Sequence, residues 1–302
     1  MKISSISNFS KLLLFSAAVF ATSCKKDAST NNSGADSNTK AASATDSATV
    51  ADNVYSDVLE NAFISTADNA SVWNISKMQH GQTSTNSTSS AAGTQLNYGC
   101  AIYSFDDSVQ NEYPKVLLVD FGSGCTSVDG VSRSGKIIYT FNNGPLITPG
   151  ATVSVSFENY VVNGYGVGGS YSIKNNSTDD GPYIFDTEVS QGEVTYPDQS
   201  TYNYTGSRTY TQSAGISTPL DFTDDAFSIT GNSTFSSSEG TSLVSNITTP
   251  LLRSFSCANI TQGVVAFTYN TTIKGTLDFG DGTCDDTANL VIGTFTKTIT
   301  LR

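Results

Sequence analysis

The fold is decided by segments such as TVSVSF at residues 152–157, in which polar and apolar side chains alternate without a break. The same period of two returns in YGVGGSYSI at 165–173 and in TFTKTITL at 294–301. Because successive side chains of a strand point to opposite faces, each segment predicts a strand with one buried face. Turn signals such as Asn163-Gly164 and Asp281-Gly282 separate these segments and indicate roughly a dozen short strands.

No helical pattern falls between the strands from residue 98 onward. Parallel α/β sheets need helical crossovers and are therefore excluded. The sequence predicts an all-β fold over residues 98–302, an antiparallel sandwich or rolled sheet with short hairpins.

One short helix is predicted ahead of the sheet, from Asp52 as a possible N-cap to about Phe63. Its apolar residues recur at i, i+3 and i+4 spacing, and we expect them to pack on the core of the domain. They are Tyr55, Val58, Leu59, Ala62 and Phe63. Residues 51–97 are thus predicted to contain this helix and a polar loop, which includes the single histidine of the chain, His80.

The first 23 residues are typical of a signal peptide. Lys2 and Lys11 precede an apolar run at 12–21 that is too short to span a membrane. Ala21, Thr22 and Ser23 then lead into Cys24, a junction that resembles the lipobox of bacterial lipoproteins, in which the cysteine is acylated. Residues 24–50 contain few apolar side chains beyond alanine, so we expect a lipidated, flexible tether.

The charge balance limits the partners. The chain has 27 acidic and 15 basic residues, a formal net charge of −12, and no stripe of Lys or Arg. Proteins that bind a phosphate backbone carry basic faces, so no nucleic acid is expected as a partner. No second long apolar run follows the signal peptide, and the expected membrane contact is the lipid on Cys24.

Four cysteines remain besides Cys24, and export would place them where disulfides persist. The segment from Cys100 to Cys125 is echoed by the segment from Cys257 to Cys284, and each contains a DFG triplet before its second cysteine. If the two strands of each segment pair as a hairpin, the thiols meet at its open end. We therefore expect the disulfides Cys100–Cys125 and Cys257–Cys284. Zinc is disfavoured, because Cys-x-x-Cys spacing and paired histidines are absent from the sequence.

Four motifs occur in order along the chain: DFGSGC at 120–125, SGKI at 134–137, NYVVNGY at 159–165 and DFGDGTCD at 278–285. Together with the lipobox they resemble a family of Bacteroidota outer-membrane and surface lipoproteins. The triplet KKD at 25–27 is similar to the charged signal that sends such lipoproteins to the cell surface. The resemblance implies a surface-exposed protein that is lipid-anchored to the outer membrane, and it implies no activity.

The acidic segment DFGDGTCDD at 278–286 has two interpretations. Asp278, Asp281 and Asp285 are oxygen ligands of the kind that calcium takes from flexible loops. The spacing is not that of an EF-hand, and Asp-Gly is first of all turn chemistry. We favour a tight hairpin turn over a metal site.

Catalytic arrangements are weak. Adjacent carboxylates occur at 106–107, 179–180, 224–225 and 285–286, but neighbours in a strand point to opposite faces and cannot flank a sugar together. Serine or cysteine hydrolase chemistry needs a base, and His80 lies in the predicted loop. We expect no enzyme activity and no cofactor.

One strand face over residues 202–210 carries Tyr202, Tyr204, Arg208 and Tyr210. If exposed, these side chains would suit a glycan, because flat rings stack on sugars and Tyr and Arg are common binding anchors. If buried, they form the core face of the strand, which is the interpretation we favour.

The sequence thus predicts a membrane-anchored lipoprotein whose non-enzymatic β domain binds or scaffolds at the cell envelope, with a glycan or an envelope protein as partner. A glycan-binding surface lipoprotein of a polysaccharide-uptake system is the alternative. A carboxylate-dependent hydrolase is the third hypothesis.

Overall fold

The part of the chain that the structure describes is built from one long helix and one antiparallel sheet. The computed structural model describes residues 33–68, 100–105, 113–127, 129–179, 181–218 and 221–301. Within these residues the helix α1 spans Ser33–Asp68, and a single 3-10 turn spans Phe222–Asp224. The strands are β1 (Ile102–Phe105), β2 (Lys115–Asp120), β3 (Cys125–Thr126), β4 (Ser132–Phe141), β5 (Thr152–Val162), β6 (Tyr165–Asn175), β7 (Ile184–Thr195), β8 (Thr201–Ala214), β9 (Ala226–Ser236), β10 (Ser242–Ser254), β11 (Ile260–Tyr269), β12 (Ile273–Asp281), β13 (Thr287–Ile292) and β14 (Phe295–Thr300).

The strands follow one another through the sheet in chain order. The path runs β1-β2-β4 and then through every strand to β14, with β3 paired to β4 beside the path. All the pairs are antiparallel. The predicted all-β antiparallel fold is confirmed, and the described strands form one continuous sheet that curves around the helix α1.

Turn chemistry sets the register as the sequence indicates. Val162 pairs with Tyr165 across the two-residue loop Asn163-Gly164, whose φ angles are 49° and 85°. Positive φ at both positions is the mark of the tight hairpin turn that favours Asn-Gly. The Gly135 of the SGKI motif lies at a bulge with φ 74°, and a Cβ there would come 2.1 Å from the carbonyl oxygen of Asn159. Only glycine fits that position.

The helix α1 lies inside the roll of the sheet. Its buried residues point in all directions around its axis, from Ala41, Ala42 and Ala44 to Val58, Leu59 and Phe63. Side chains of the helix contact β4, β6, β8 and β10, and the helix shares one apolar cluster with the sheet. The apolar stripe predicted for residues 55–63 is confirmed as core, and the sheet curves around it.

The helix is three times as long as predicted. Residues 33–50 are helical and many of them are buried, so a flexible tether over that range is wrong, and residues 24–32 lie outside the described residues. Asp52 is in the middle of α1 and does not cap it. Residues 64–68 extend the helix, whereas the rest of the predicted loop, with His80, lies outside the described part.

Residues 33–50 were predicted as a tether because of their composition, which is rich in Ala, Ser and Thr. The buried hydroxyl groups of the helix donate to backbone carbonyls of the preceding turn, for example from Thr45 to Ala41 at 2.9 Å and from Thr66 to Ala62 at 2.8 Å. A hydroxyl that is satisfied inside its own helix can be buried at little cost. Small Ala, Ser and Thr side chains also let the sheet approach closely. A segment that is typical of a solvated tether is therefore compatible with a core.

Among the described residues, no helix is both long and apolar enough to cross a membrane.

Both predicted disulfides are present. Cys100 is bonded to Cys125 and Cys257 to Cys284, with Cα–Cα distances of 6.0 and 5.8 Å. In each case two paired strands lie between the cysteines, β1 with β2 and β11 with β12. The internal echo thus marks two hairpins, each closed at its open end by a disulfide.

Candidate functional site

The aromatic face of β8 points into the roll, towards α1. Tyr204 and Tyr210 are 2% and 7% exposed. The ring of Tyr204 stacks on Tyr55 of the helix with centroids 5.1 Å apart, and Tyr202 stacks on Phe235 at 4.6 Å. The prediction that this face belongs to the core is confirmed. Binding of a glycan by this face is wrong, because a buried ring cannot stack on a sugar.

Arg208 on the same face binds an acidic residue of the helix. Its Nη2 lies 2.6 Å from Oδ1 of Asp52 and 3.0 Å from the hydroxyl of Ser233. The hydroxyl of Tyr204 donates to the same Asp52 oxygen. Burial raises the pKa of Tyr204 well above its ordinary value, and the negative charge of Asp52 adds to this shift. The hydroxyl therefore stays protonated and acts as a donor.

A second ion pair joins the helix to β4. The guanidinium of Arg133, with its side chain 1% exposed, donates to Asp57 from both Nε and Nη2 and to Asp129 from Nη1 and Nη2. The hydroxyl of Tyr160 completes the set at 2.5 Å from Oδ2 of Asp57. Burial is the largest single effect on Arg133 and lowers its pKa, but the attraction of Asp57 and the hydrogen bonds to Asp57 and Asp129 together outweigh burial and raise the pKa. Removing one partner of such a buried pair typically costs about 3–5 kcal/mol.

A third ion pair lies towards the C-terminal end of the helix. Nε and Nη2 of Arg253 on β10 donate to Oε1 of Glu60 at 2.9 and 2.5 Å. Burial raises the pKa of Glu60, and the charge of Arg253 opposes the rise. All three arginines among the described residues thus bind carboxylates of α1. Together they oppose rotation and sliding of the helix within the sheet, because either movement would leave buried charges unpaired.

Tyrosine hydroxyls add further links between helix and sheet. Tyr139 donates to the carbonyl of Val58 at 2.7 Å, and Tyr196 donates to the carbonyl of Ser47 at 2.5 Å. In the other direction, Tyr55 of the helix donates to the carbonyl of Gly168 at 2.7 Å. Each of these three hydroxyls is satisfied, so the three rings are buried at little polar cost. The hydroxyl of Tyr171, whose ring stacks on Tyr55, is buried without a hydrogen-bond partner among the described residues.

A cavity of about 270 Å³ remains between α1 and the sheet. Helix residues from Val50 to Phe63 form one wall, and residues of β5, β6 and β8–β11 form the other. The interior is mostly apolar and aromatic, whereas Asn163, Ala258 and Asn259 lie at its outer end. The Glu60–Arg253 ion pair lies in its wall. Nothing in the sequence pattern predicts this cavity, because residues from seven separate elements line it.

The acidic segment at the end of β12 has the geometry of structural turns. Oδ1 of Asp278 accepts from the backbone N–H of Gly280, Oδ1 of Asp281 accepts from Thr283, and Oδ1 of Asp285 accepts from Thr287. These hydrogen bonds lower the pKa of Asp281. Among the described residues no three acidic, Cys or His side chains come together to hold a metal ion. The hairpin-turn interpretation is therefore supported for these three residues, which do not converge.

The candidate carboxylates for a hydrolase are scattered. Oδ1 of Asp225 is buried and accepts from Nε2 of Gln212 at 2.8 Å, while Asp224 is exposed and accepts from Thr218. Burial raises the pKa of Asp225 to about 6. Residues 106, 107 and 180 of the other adjacent pairs lie outside the described residues.

Comparison with known proteins adds no relative: no family model, curated protein or solved structure matches the chain. The resemblance to Bacteroidota lipoproteins therefore stays a prediction from the sequence.

The residues that hold α1 in the sheet are mostly not predicted from the sequence. Arg208 is among the predicted site residues, but Arg133 and Arg253 are not, and Asp52 is predicted only as a helix cap. A usable signal was present, because arginine is rare in this chain and sits in strands that are otherwise rich in Ser and Thr. An arginine on the inner face of a strand requires a buried acidic partner.

Proposed function

We propose that the protein is a lipid-anchored, non-enzymatic scaffold of the cell envelope, held in the outer membrane by acyl chains on Cys24. The observation that carries the proposal is the junction at residues 21–24, where small residues follow a short apolar run and lead directly into a cysteine. One acyl chain gives only marginal membrane binding, so stable attachment needs the several chains that a lipoprotein cysteine carries.

The start of α1 supports a role close to the membrane. The helix begins at Ser33, nine positions after Cys24. Even a fully extended chain of that length spans only about 30 Å. The anchor therefore leads almost directly into the core of the domain, and the sheet would stand at the membrane surface.

The acidic residues of the helix serve a structural role, which supports a scaffold over an enzyme. Asp52, Asp57 and Glu60 are all engaged in ion pairs that hold the helix. The outer face of β5 is polar and exposes Ser154, Ser156 and Glu158. A partner would meet this face, and a glycan as partner would need a surface other than the 202–210 face.

The test is Cys24→Ala in the full-length chain, expressed in a bacterium that processes lipoproteins, with Ser23→Ala as a matched control that keeps the cysteine. We expect the control to incorporate an alkyne-tagged fatty acid and to stay with membranes after a high-salt wash. Cys24→Ala should incorporate none and remain uncleaved or leave the membrane. A Cys24→Ala protein that is cleaved normally and still fractionates with washed membranes would refute the anchor.

Location is tested separately on intact cells. A membrane-impermeant biotin reagent should label the protein before lysis if it faces outwards. Labelling that appears only after lysis would place the β domain in the periplasm and overturn the surface location while leaving the anchor intact.

A further inference from the structure

The cavity between α1 and the sheet has the size of a small ring compound. Its volume is about 270 Å³. A water molecule occupies about 30 Å³ in the liquid, and an apolar cavity of about 150 Å³ is enough to hold benzene. The cavity therefore has room for a one- or two-ring molecule of about nine non-hydrogen atoms.

Aromatic rings form much of its lining. Phe63 of the helix, Phe227 of β9 and Phe255 beyond β10 form a cluster with centroids 5.6 to 6.3 Å apart. Tyr165 and Tyr210 line the cavity as well. Aromatic rings attract one another in stacked or edge-to-face contact. A lining of this kind therefore favours an aromatic ligand.

The charged residues in the cavity wall indicate what polar groups a ligand can carry. Glu60 and Arg253 neutralise each other, so a charged ligand would bring an unpaired charge into a mostly apolar space. Both hydrogen bonds from Arg253 go to Oε1 of Glu60. Within the described part of the chain, Oε2 of Glu60 accepts no hydrogen bond. This oxygen is therefore an acceptor in the cavity wall for one donor group of a ligand.

Access comes from the surface. Asn163 and Ala258, at the outer end, are exposed, and the amide of Asn259 donates to the carbonyl of Asp285 and so fixes that rim. From these observations we infer that the cavity is a binding site for small, neutral aromatic compounds that carry one hydrogen-bond donor, of the phenol and indole class. The site is independent of the lipid anchor.

The test uses residues 25–302, exported behind a signal peptide that lacks a lipidation cysteine, so that both disulfides form. Phenol and indole are titrated by calorimetry, with toluene as the analogue without a donor and benzoate and benzylamine as charged analogues. We expect saturable 1:1 binding of phenol and indole with a dissociation constant below about 1 mM, and binding at least about tenfold weaker for the three analogues.

Ala258→Trp places a large ring at the rim and should abolish binding, whereas the matched control Ala258→Ser should bind as the unaltered chain does. Absence of saturable binding in the unaltered chain, or equal binding by Ala258→Trp, would overturn the inference. Charged analogues that bind as tightly as phenol would overturn the ligand class. If Ala258→Trp does not fold, NMR shift changes in the unaltered chain decide, since phenol must perturb Tyr165, Tyr210 and Phe255 first.

Discussion

Truncation of Phe63 to alanine tests whether α1 is the core of this protein. Phe63 is 1% exposed, and its ring lies between three others, with centroids 4.9 Å from Phe185, 5.0 Å from Phe222 and 5.6 Å from Phe227. Two of these rings belong to strands on the inner face of the sheet. The substitution therefore removes one aromatic link between helix and sheet without touching an ion pair.

The expected loss follows from burial and from the neighbouring cavity. Replacing a buried phenylalanine by alanine typically lowers the free energy of unfolding by about 3–5 kcal/mol, and the loss is larger where the site cannot collapse. Phe63 already lines the 270 Å³ cavity, so the deletion enlarges an existing void. We expect about 4–5 kcal/mol, which for a domain of this size corresponds to a fall of about 8–20 °C in the unfolding temperature.

The assay is urea unfolding followed by circular dichroism, together with a thermal scan. Asp36→Ala is the control, because that side chain is 66% exposed near the start of the same helix and should change stability by less than about 0.5 kcal/mol. A Phe63→Ala protein as stable as the control would refute the enclosure of α1, since a helix lying on the outside of the sheet would lose little by the change.

Two further predictions concern the described residues. Burial raises the pKa of Asp225 to about 6, so the folded state holds this proton more tightly than the unfolded state and stability is lost as pH rises through 6. The free energy of unfolding of the unaltered chain, relative to Asp225→Asn, should therefore increase by about 2–3 kcal/mol between pH 7.5 and pH 4, with Glu239→Gln as an exposed control; a flat difference would contradict the shift. Cys257→Ser combined with Cys284→Ser opens a loop with a sequence separation of 27 and should lower the free energy of unfolding by about 3–4 kcal/mol in urea titrations. The Cys100 and Cys125 double variant, with a separation of 25, should lose nearly the same amount, and a loss below about 1 kcal/mol in both would argue against an unfolded-state effect.

The strands were predictable because their signal is local. Alternation in residues 152–157 and 294–301, with turn chemistry at Asn163-Gly164, depends on neighbours in the chain and survives in the structure as β5, β14 and a tight hairpin. The disulfides were predictable for a similar reason, because each closes one hairpin between adjacent strands.

The position of the helix was not predictable in the same way. A period of two shows that Tyr202, Tyr204 and Tyr210 share a face, but it does not show what covers that face. The hydrophobicity of residues 33–50 does not predict their burial. Thr45 and Thr49 are buried despite their polarity, because their hydroxyls donate to carbonyls within the helix. The cavity and the ion pairs depend on residues far apart in the chain and needed the three-dimensional structure.

The chain order of the elements has a consequence for folding. The helix is synthesised first, and each strand then pairs with a strand made just before it, so the β contacts are short-range and quick to form. The contacts of α1 with the end of the sheet are the exception, because Leu301 lines the same cavity as Glu60 and Phe63. The helix can form early, and the strands can then pack against it one after another as they are synthesised. It gains its last neighbour in the sheet only after β14 has been made, so a chain interrupted before Leu301 would leave part of the helix exposed to water.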